Sequence, residues 1–360
     1  MKKMVIVLVC GVFIVGPVFS GGQGESPGDS NIDPAVFDIQ WDSPGSIYER
    51  VADDETYVLP DGWEDAVGDT KELSFINSGP LQYDPAMAQA MEDFEEMTGI
   101  ALNAIEIGED LLHTKQSAML RARSPRLDLV FCTISTQSYY DYQAAGWLLP
   151  CDFLLDQKTR DNYPPNVLNA MEQNGEIFGF PYIGGAFIYG YRKDLFEENG
   201  LSEPQSWDDL LTIAETLKTD DRWGLAFPCG PSYDNFGTFC SFLSAAGGEI
   251  LQDGKAVLNS PEAVRALEFM VDLRNEHKLV PEGVNTYSLQ QMGELFAADR
   301  IASFVSTTWT YQMIVDTQEM YDNFAMALYP PAEQGIEQTV YQDMSFYGVS
   351  PYSEKQPAAF

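Results

Sequence analysis

A small set of side chains in this sequence can grip a solute without breaking its bonds: Ser78, Gln82, Tyr83, Ser135, Thr136, Tyr182, Tyr233, Asp234, Trp309 and Asp343. Aromatic rings offer flat apolar faces, and hydroxyl, amide and carboxylate groups offer directional hydrogen bonds. A pyranose ring matches both, with a C–H face to stack on an indole and hydroxyls to pair with Asp, Gln and Ser. Bond-breaking chemistry has little support. No G-x-S-x-G, H-E-x-x-H or Walker pattern occurs, and no G-x-G-x-x-G follows a strand. Asp208-Asp209 belongs to a helix start, and no spacing marks it as a glycosidase pair. His113 and His277 are the only imidazole bases, and their spacing to cysteine fits no zinc pattern. No catalytic residue, metal or cofactor is expected.

These residues fall at strand ends of an alternating β/α pattern. Residues 73–76 read as a strand stopped by Asn77-Ser78-Gly79-Pro80. Pro85 opens a helix carrying Met87, Met91, Phe94 and Met97 at helical spacing, closed by Gly99, and the methionines read as core. A strand over 100–107, a helix over 110–123 and a strand over 127–131 follow. The next loop, 133–137, lies at a strand's carboxyl end, where open α/β sheets bind ligands. Residues 177–183 form a β-rich run broken by Gly179 and Pro181. Gly184-Gly185-Ala186 then removes side-chain bulk where a backbone must turn or flex, and Phe187 to Tyr191 resume an extended pattern. Ser206 is a good N-cap with Asp209 at the third helical position, and Ser260-Pro261 opens another helix. Strands over 223–227 and 301–305 deliver Tyr233-Asp234 and, after the polar loop Ser306-Thr307-Thr308, Trp309 to a carboxyl edge. The alternation predicts a doubly wound α/β fold with right-handed crossovers.

Composition narrows the class. The chain has 360 residues, 45% of them hydrophobic, which is too much for one core and suggests two domains. Fifty-five acidic and 20 basic side chains leave a net charge of −35, which repels nucleic acid. Residues 1–20 read as a cleavable signal peptide: Lys2 and Lys3 precede an apolar core too short to span a bilayer, and Val18 and Ser20 sit at the cleavage spacing. The product is secreted or periplasmic. Residues 21–70 form an acidic leader in which Phe37, Ile39, Trp41 and Trp63 are apolar anchors. Beyond the signal peptide, Cys132, Cys151, Cys229 and Cys240 admit two readings: local disulfides Cys132–Cys151 and Cys229–Cys240, or four buried thiols.

Several stretches together resemble one family. FGFPY, GGAF, YRKDLF and PQSWDDL, in that order over 175–217, resemble the hinge region of the bacterial extracellular solute-binding proteins of family 1, the maltose-binding-protein-like receptors of ABC importers. FEEMTGIALNAIEI with RLDLVF, SAAGGEIL with DGKAVLNSPEAVRALEFMVDL, and QQMGELFAADRIASFVSTTWTYQMI resemble the same family, over about 71–360. The resemblance implies a two-lobed periplasmic-binding-protein fold with a ligand cleft between the lobes. One lobe would comprise 71–183 and 336–360, the other 184–335, with crossings near 183–187 and 330–335. Trp309 falls on the family's cleft tryptophan. The implied function is capture of a sugar by a monomeric receptor that delivers it to an ABC permease. A polyamine held by Asp84, Asp234 and Asp343, glycerol phosphate, or an exported hydrolase are the alternatives. SPYSEKQPAAF resembles the opening of the family's next helix, so the family's final helices are expected beyond Phe360.

Overall fold

The computed structural model describes residues 34–40, 59–79, 81, 84–134, 138–155, 157–161, 163–173, 175–231, 233–253, 255–308, 310, 314, 318–337 and 340–360. The expected signal peptide and much of the acidic leader lie outside these residues. Strands β1 (Glu72–Ser78), β2 (Ala101–Ile107) and β3 (Leu129–Thr133) are parallel and alternate with the helices Pro85–Thr98 and Glu109–Arg121. Asp84 caps the first of these helices by accepting from Met87 N at 2.9 Å, and Gly99 ends it in the left-handed region at φ 69°. Its methionines are less buried than their spacing predicts. Phe94 packs against the cluster of Leu73, Ile100 and Ala358, while Met97 is exposed.

The short hairpin β4 (Glu172–Gln173) and β5 (Glu176–Ile177) leads into β6 (Phe180–Arg192), a single strand of 13 residues. The expected break at Gly184-Gly185-Ala186 is absent. Its residues are mostly aromatic or β-branched, which favours extended backbone across the glycines. Pro181 has no N–H to give the ladder, and the register slips there, between Ser345 and Phe346 of the partner strand. A second hairpin, β7 (Leu251–Gln252) and β8 (Lys255–Ala256), precedes β9 (Ser303–Thr307), β10 (Phe324–Ala327) and β11 (Gln342–Val349). Among the described residues the sheet runs β10-β6-β11-β3-β1-β2, with β9 also on β6.

β6 therefore serves both lobes. The first half of β6 pairs antiparallel with β11, which pairs in turn with β3. The second half pairs with β9 and β10. One core gathers Val130, Phe131, Tyr139, Phe178 and Phe346. The other gathers Phe187, Trp207, Leu210, Phe242 and Leu273. Trp207 stacks on Phe269 with ring centroids 4.0 Å apart. Its helix, Trp207–Leu217, starts where Ser206 Oγ accepts from Asp209 N at 3.1 Å, while the Asp209 carboxylate accepts from Gln205 N at 3.0 Å. Residues 223–227 lie beside β9 but make only isolated parallel bridges, Trp223 to Ile301 and Ala226 to Phe304. β9 itself begins two residues later than its pattern suggests, so Ser306 and Thr307 belong to the strand. Near the expected second crossing, Ala332 N donates to Ala245 O at 2.7 Å, Tyr329, Ala332 and Tyr341 pack with the second core, and Gln342 pairs with Ala186 of β6.

All four cysteines are free thiols in this structure. Cys132 and Cys151 satisfy themselves locally, donating to Phe346 O at 3.7 Å and Ile177 O at 3.3 Å. At the opposite end of the sheet from the crossings, Asp128 is fully buried. It accepts from Ser74 N at 2.8 Å, Ser353 Oγ at 2.6 Å and Lys355 Nζ at 3.3 Å. This ties the segment 350–360 to the sheet. Asp128→Ala leaves those donors unpaired and should cost ~3 kcal/mol. Urea denaturation reads this as a lower midpoint, and a midpoint within experimental error of wild type would refute the tie.

His113 lies on the helix Glu109–Arg121 with Nε2 buried and without a partner among the described residues. Burial lowers its pKa from 6.5 to about 4. Between these values the unfolded chain binds more protons than the folded one. The His113 contribution is therefore complete above pH 6.5 and is lost as pH falls towards 4. His113→Gln should flatten the melting temperature against pH in that window; a slope identical to wild type would contradict the assignment.

Candidate functional site

The register of the sheet brings the strand ends together before any side chain is considered. β1, β2 and β3 are parallel, so Ser78, Ile107 and Thr133 lie along one edge. β11 and β6 run antiparallel in turn, which places Asp343 opposite Gly185 on that same edge. From the second lobe, β9 pairs Thr307 with Phe187, so its carboxyl end arrives at the same crossing. A Cβ built on Gly185 would stand 3.8 Å from Thr308 Oγ1. Two carboxyl edges thus meet where open α/β sheets hold ligands.

The first-lobe wall is mostly aromatic, with one carboxylate, Asp343. Tyr182 is half-buried and its ring meets that of Tyr347 edge-on at 5.2 Å. Tyr347 in turn packs on Phe75 and Phe131 at 5.4 and 5.5 Å, and its hydroxyl hydrogen-bonds Asn77 Oδ1 at 2.7 Å. Burial, with Asp84 and Cys132 nearby, raises its pKa, so it stays a protonated donor. Ser78 ends β1, half-buried. Asp343 is half-buried, and its Oδ1 accepts from Met344 N at 2.8 Å.

The second-lobe wall comes from the start of the helix Tyr233–Ala245 and from Tyr341, the residue before β11. Asp234 is buried and accepts from Leu289 N at 3.0 Å, capping the helix Leu289–Ala297. Phe236 remains 39% exposed, and its ring meets Tyr341 edge-on at 5.9 Å. Gly237 permits close approach: a Cβ there would lie 2.3 Å from the Phe187 ring. Tyr341 packs on Phe187 at 5.6 Å, and its carbonyl accepts from Phe187 N at 2.9 Å. Burial raises the Tyr341 pKa, with Cys240 and Asp343 adding to the shift. The next residue holds the other lobe, since Gln342 Oε1 accepts from Asn166 Nδ2 at 3.0 Å.

Of the residues singled out from sequence, Ser78, Tyr182 and Asp343 lie at this edge of the first lobe, and Asp234 serves as a helix cap beside it. Tyr233 opens the helix Tyr233–Ala245. Gln82, Tyr83, Ser135, Thr136 and Trp309 lie outside the described residues. Sequence reasoning passed over Phe236, Tyr341 and Gln342. None of the described residues at these strand ends and crossings is Lys, Arg or His. Among the described residues no group of His, Cys, Asp or Glu is arranged to hold a metal.

Two lobes sharing crossing strands, with facing walls at the crossing, define a solute-binding receptor. Residues 78–360 match the bacterial extracellular solute-binding proteins, and the chain belongs to that family. It is 22% identical over 257 residues to the mannitol-binding protein of Pseudomonas aeruginosa, covering 70% of this chain and 58% of that one. It is 24% identical over 231 residues to the arabinooligosaccharide-binding protein of Halalkalibacterium halodurans, covering 63% and 50%. Among solved structures, maltose-bound T. maritima MalE3 superposes with a TM-score of 0.73 at 22% identity, covering 80% of this chain and 75% of that one. The chain spans about half to three-fifths of the length of the curated relatives it matches. Members of the family are binding proteins. Among the described residues no helix is long and apolar enough to cross a membrane.

Gly185 has room for a side chain, so Gly185→Val should fold while restricting the backbone of β6 at the crossing. Small-angle scattering should then show a smaller compaction on saturation with sugar than wild type shows. Equal compaction would move the hinge elsewhere.

Proposed function

We propose that this protein captures a sugar or a related neutral polyhydroxy solute outside the cytoplasm and delivers it to an ABC permease. The carrying observation is the composition of the crossing: the ring pairs Tyr182–Tyr347 and Phe236–Tyr341, the polar groups of Ser78 and Asp343, and no described cation. Rings supply stacking surface, and Ser78, Asp343 and the tyrosine hydroxyls supply partners for ligand hydroxyls. Relatives named for mannitol and arabino-oligosaccharide, and the fold shared with a maltose-bound receptor, support the same class. The signal-like residues 1–20 support export by a cleavable leader. In this proposal the lobes, 71–186 with 342–360 and 187–341, close over the solute about β6 and residues 341–342, and the receptor works as a monomer.

The rival solutes fit less well. A polyamine needs carboxylates for its ammonium groups, yet Asp84 and Asp234 already accept from helix amides. Glycerol phosphate calls for cationic donors at the crossing, where the described residues have none. A hydrolase needs an acid–base pair, and His113 lies on the helix Glu109–Arg121 with its pKa lowered by burial.

Gln82, Tyr83, Ser135, Thr136 and Tyr233 complete the proposed contact set, with Trp309 as its anchor. Trp309→Ala should weaken sugar binding by more than about tenfold, as truncating an aromatic anchor does. Its melting temperature should stay near that of wild type. Calorimetry with a sugar panel and a thermal melt decide the matter. A variant that binds normally but loses ~3–5 kcal/mol of stability would make the indole a core residue instead.

A further inference from the structure

We propose, resting on the sugar-receptor reading above, that Glu106 is a positioning residue for solute capture: from β2 it fixes the turn that follows Ser78 at the carboxyl end of β1. Asn77 and Glu106 are register partners, side by side on β1 and β2. Each sends its side chain into that turn. Asn77 Nδ2 donates to Gly79 O at 3.2 Å, and Glu106 Oε2 accepts from Leu81 N at 2.9 Å. Backbone bonds close the same turn: Gly79 N donates to Ile107 O at 2.9 Å, and Asp84 N donates to Leu81 O at 2.8 Å. Gly79 supplies the left-handed backbone, at φ 79°, on which the chain leaves the strand.

The two side chains hold the turn from different places. Asn77 is buried, and its Oδ1 accepts from the Tyr347 hydroxyl at 2.7 Å, which links the turn to the aromatic wall on β11. Glu106 is exposed on β2, the last strand of the sheet, with β1 and β3 between it and β11. Its carboxylate is therefore remote from the crossing and acts on the site through the Leu81 amide. Past Ser78 the ladder between β1 and β2 ends, and a side-chain acceptor gives that amide the partner the sheet no longer supplies. A turn already in place loses little freedom when a solute lands beside it. Without the acceptor the turn samples other shapes, and apparent affinity falls by the fraction still competent to bind.

Calorimetric titration of the full chain tests this with whichever of maltose, arabinose and mannitol binds wild type most tightly. Glu106→Ala should weaken that binding about three- to tenfold, the effect of one such hydrogen bond. Glu106→Gln keeps an acceptor oxygen and should return affinity to within about twofold of wild type. Both variants should melt within about 3 °C of wild type, since the side chain is exposed. Hydrogen–deuterium exchange of the unliganded protein gives a reading that needs no solute. Residues 79–84 should exchange faster in Glu106→Ala and at the wild-type rate in Glu106→Gln. An affinity loss with unchanged exchange, or a loss that Glu106→Gln fails to rescue, makes Glu106 a direct solute contact and overturns the positioning role. Unchanged affinity in Glu106→Ala, or a melting temperature that collapses with affinity, overturns it as well and leaves a sugar receptor standing. Failure of all three solutes to bind wild type overturns the receptor reading and this role with it, while exchange still reports whether Glu106 holds the turn.

Discussion

The antiparallel ladder between β6 and β11 has to satisfy two demands at once. Its backbone groups are largely shielded from water and must stay paired, because an orphaned buried amide or carbonyl costs as much as a lost hydrogen bond. The same strands are also the connection between lobes and so must tolerate rotation. The chain meets both demands by concentrating its irregularities. The register slip falls at Pro181, which has no amide to lose, and the small residues fall at Gly184-Gly185-Ala186, opposite residues 342–344. Tyr341 and Gln342, adjacent in sequence, are fastened to opposite lobes by Phe187 and Asn166.

The carboxylates make sense against this frame. With a net charge of −35 the chain has many more acids than cations to pair with them. Those near the crossings and the core are instead satisfied by backbone amides: Asp84 by Met87 N, Asp152 by Ile177 N and Asp234 by Leu289 N. Asp128 combines an amide, a hydroxyl and a lysine. A carboxylate committed to backbone donors in this way ends a helix or pins a loop. The abundance of Asp and Glu around the strand ends therefore speaks for built helices and loops. At the crossing itself stand aromatic rings, Ser78 and the single carboxylate Asp343.

Much was readable from local pattern. Ser206 and Ser260 cap helices as their types and spacing imply, and β1 to β3 fall within two residues of their expected positions, because caps and periodicity are properties of short stretches. The family resemblance added the two lobes and the crossing at Gly184-Gly185. Local pattern misled where a neighbour overruled propensity. The glycines of β6 read as a break, yet ladders on both sides of it hold one continuous strand. Beside the crossing that the resemblance implies near 330–335, Tyr329 and Ala332 are drawn into the second core, which no local pattern announces.

By itself, then, the sequence determined the class of fold, the absence of a recognisable catalytic motif and the identity of the capping residues. Each depends on contacts a few residues long or on motifs of fixed order. The tertiary structure alone decided which aromatics stand together. Phe236 and Tyr341 lie more than a hundred positions apart, and nothing in their surroundings marks them as partners. They meet because Gly237 admits Phe187, because Phe187 is hydrogen-bonded to Tyr341, and because β6 carries Phe187 across from the other lobe. The same holds for Asp234, which reads as a ligand-facing acid until Leu289 N arrives from a distant helix to claim it. Side-chain role at such positions is a property of long-range packing, because a carboxylate or a ring takes its function from whichever group the folded chain brings within reach.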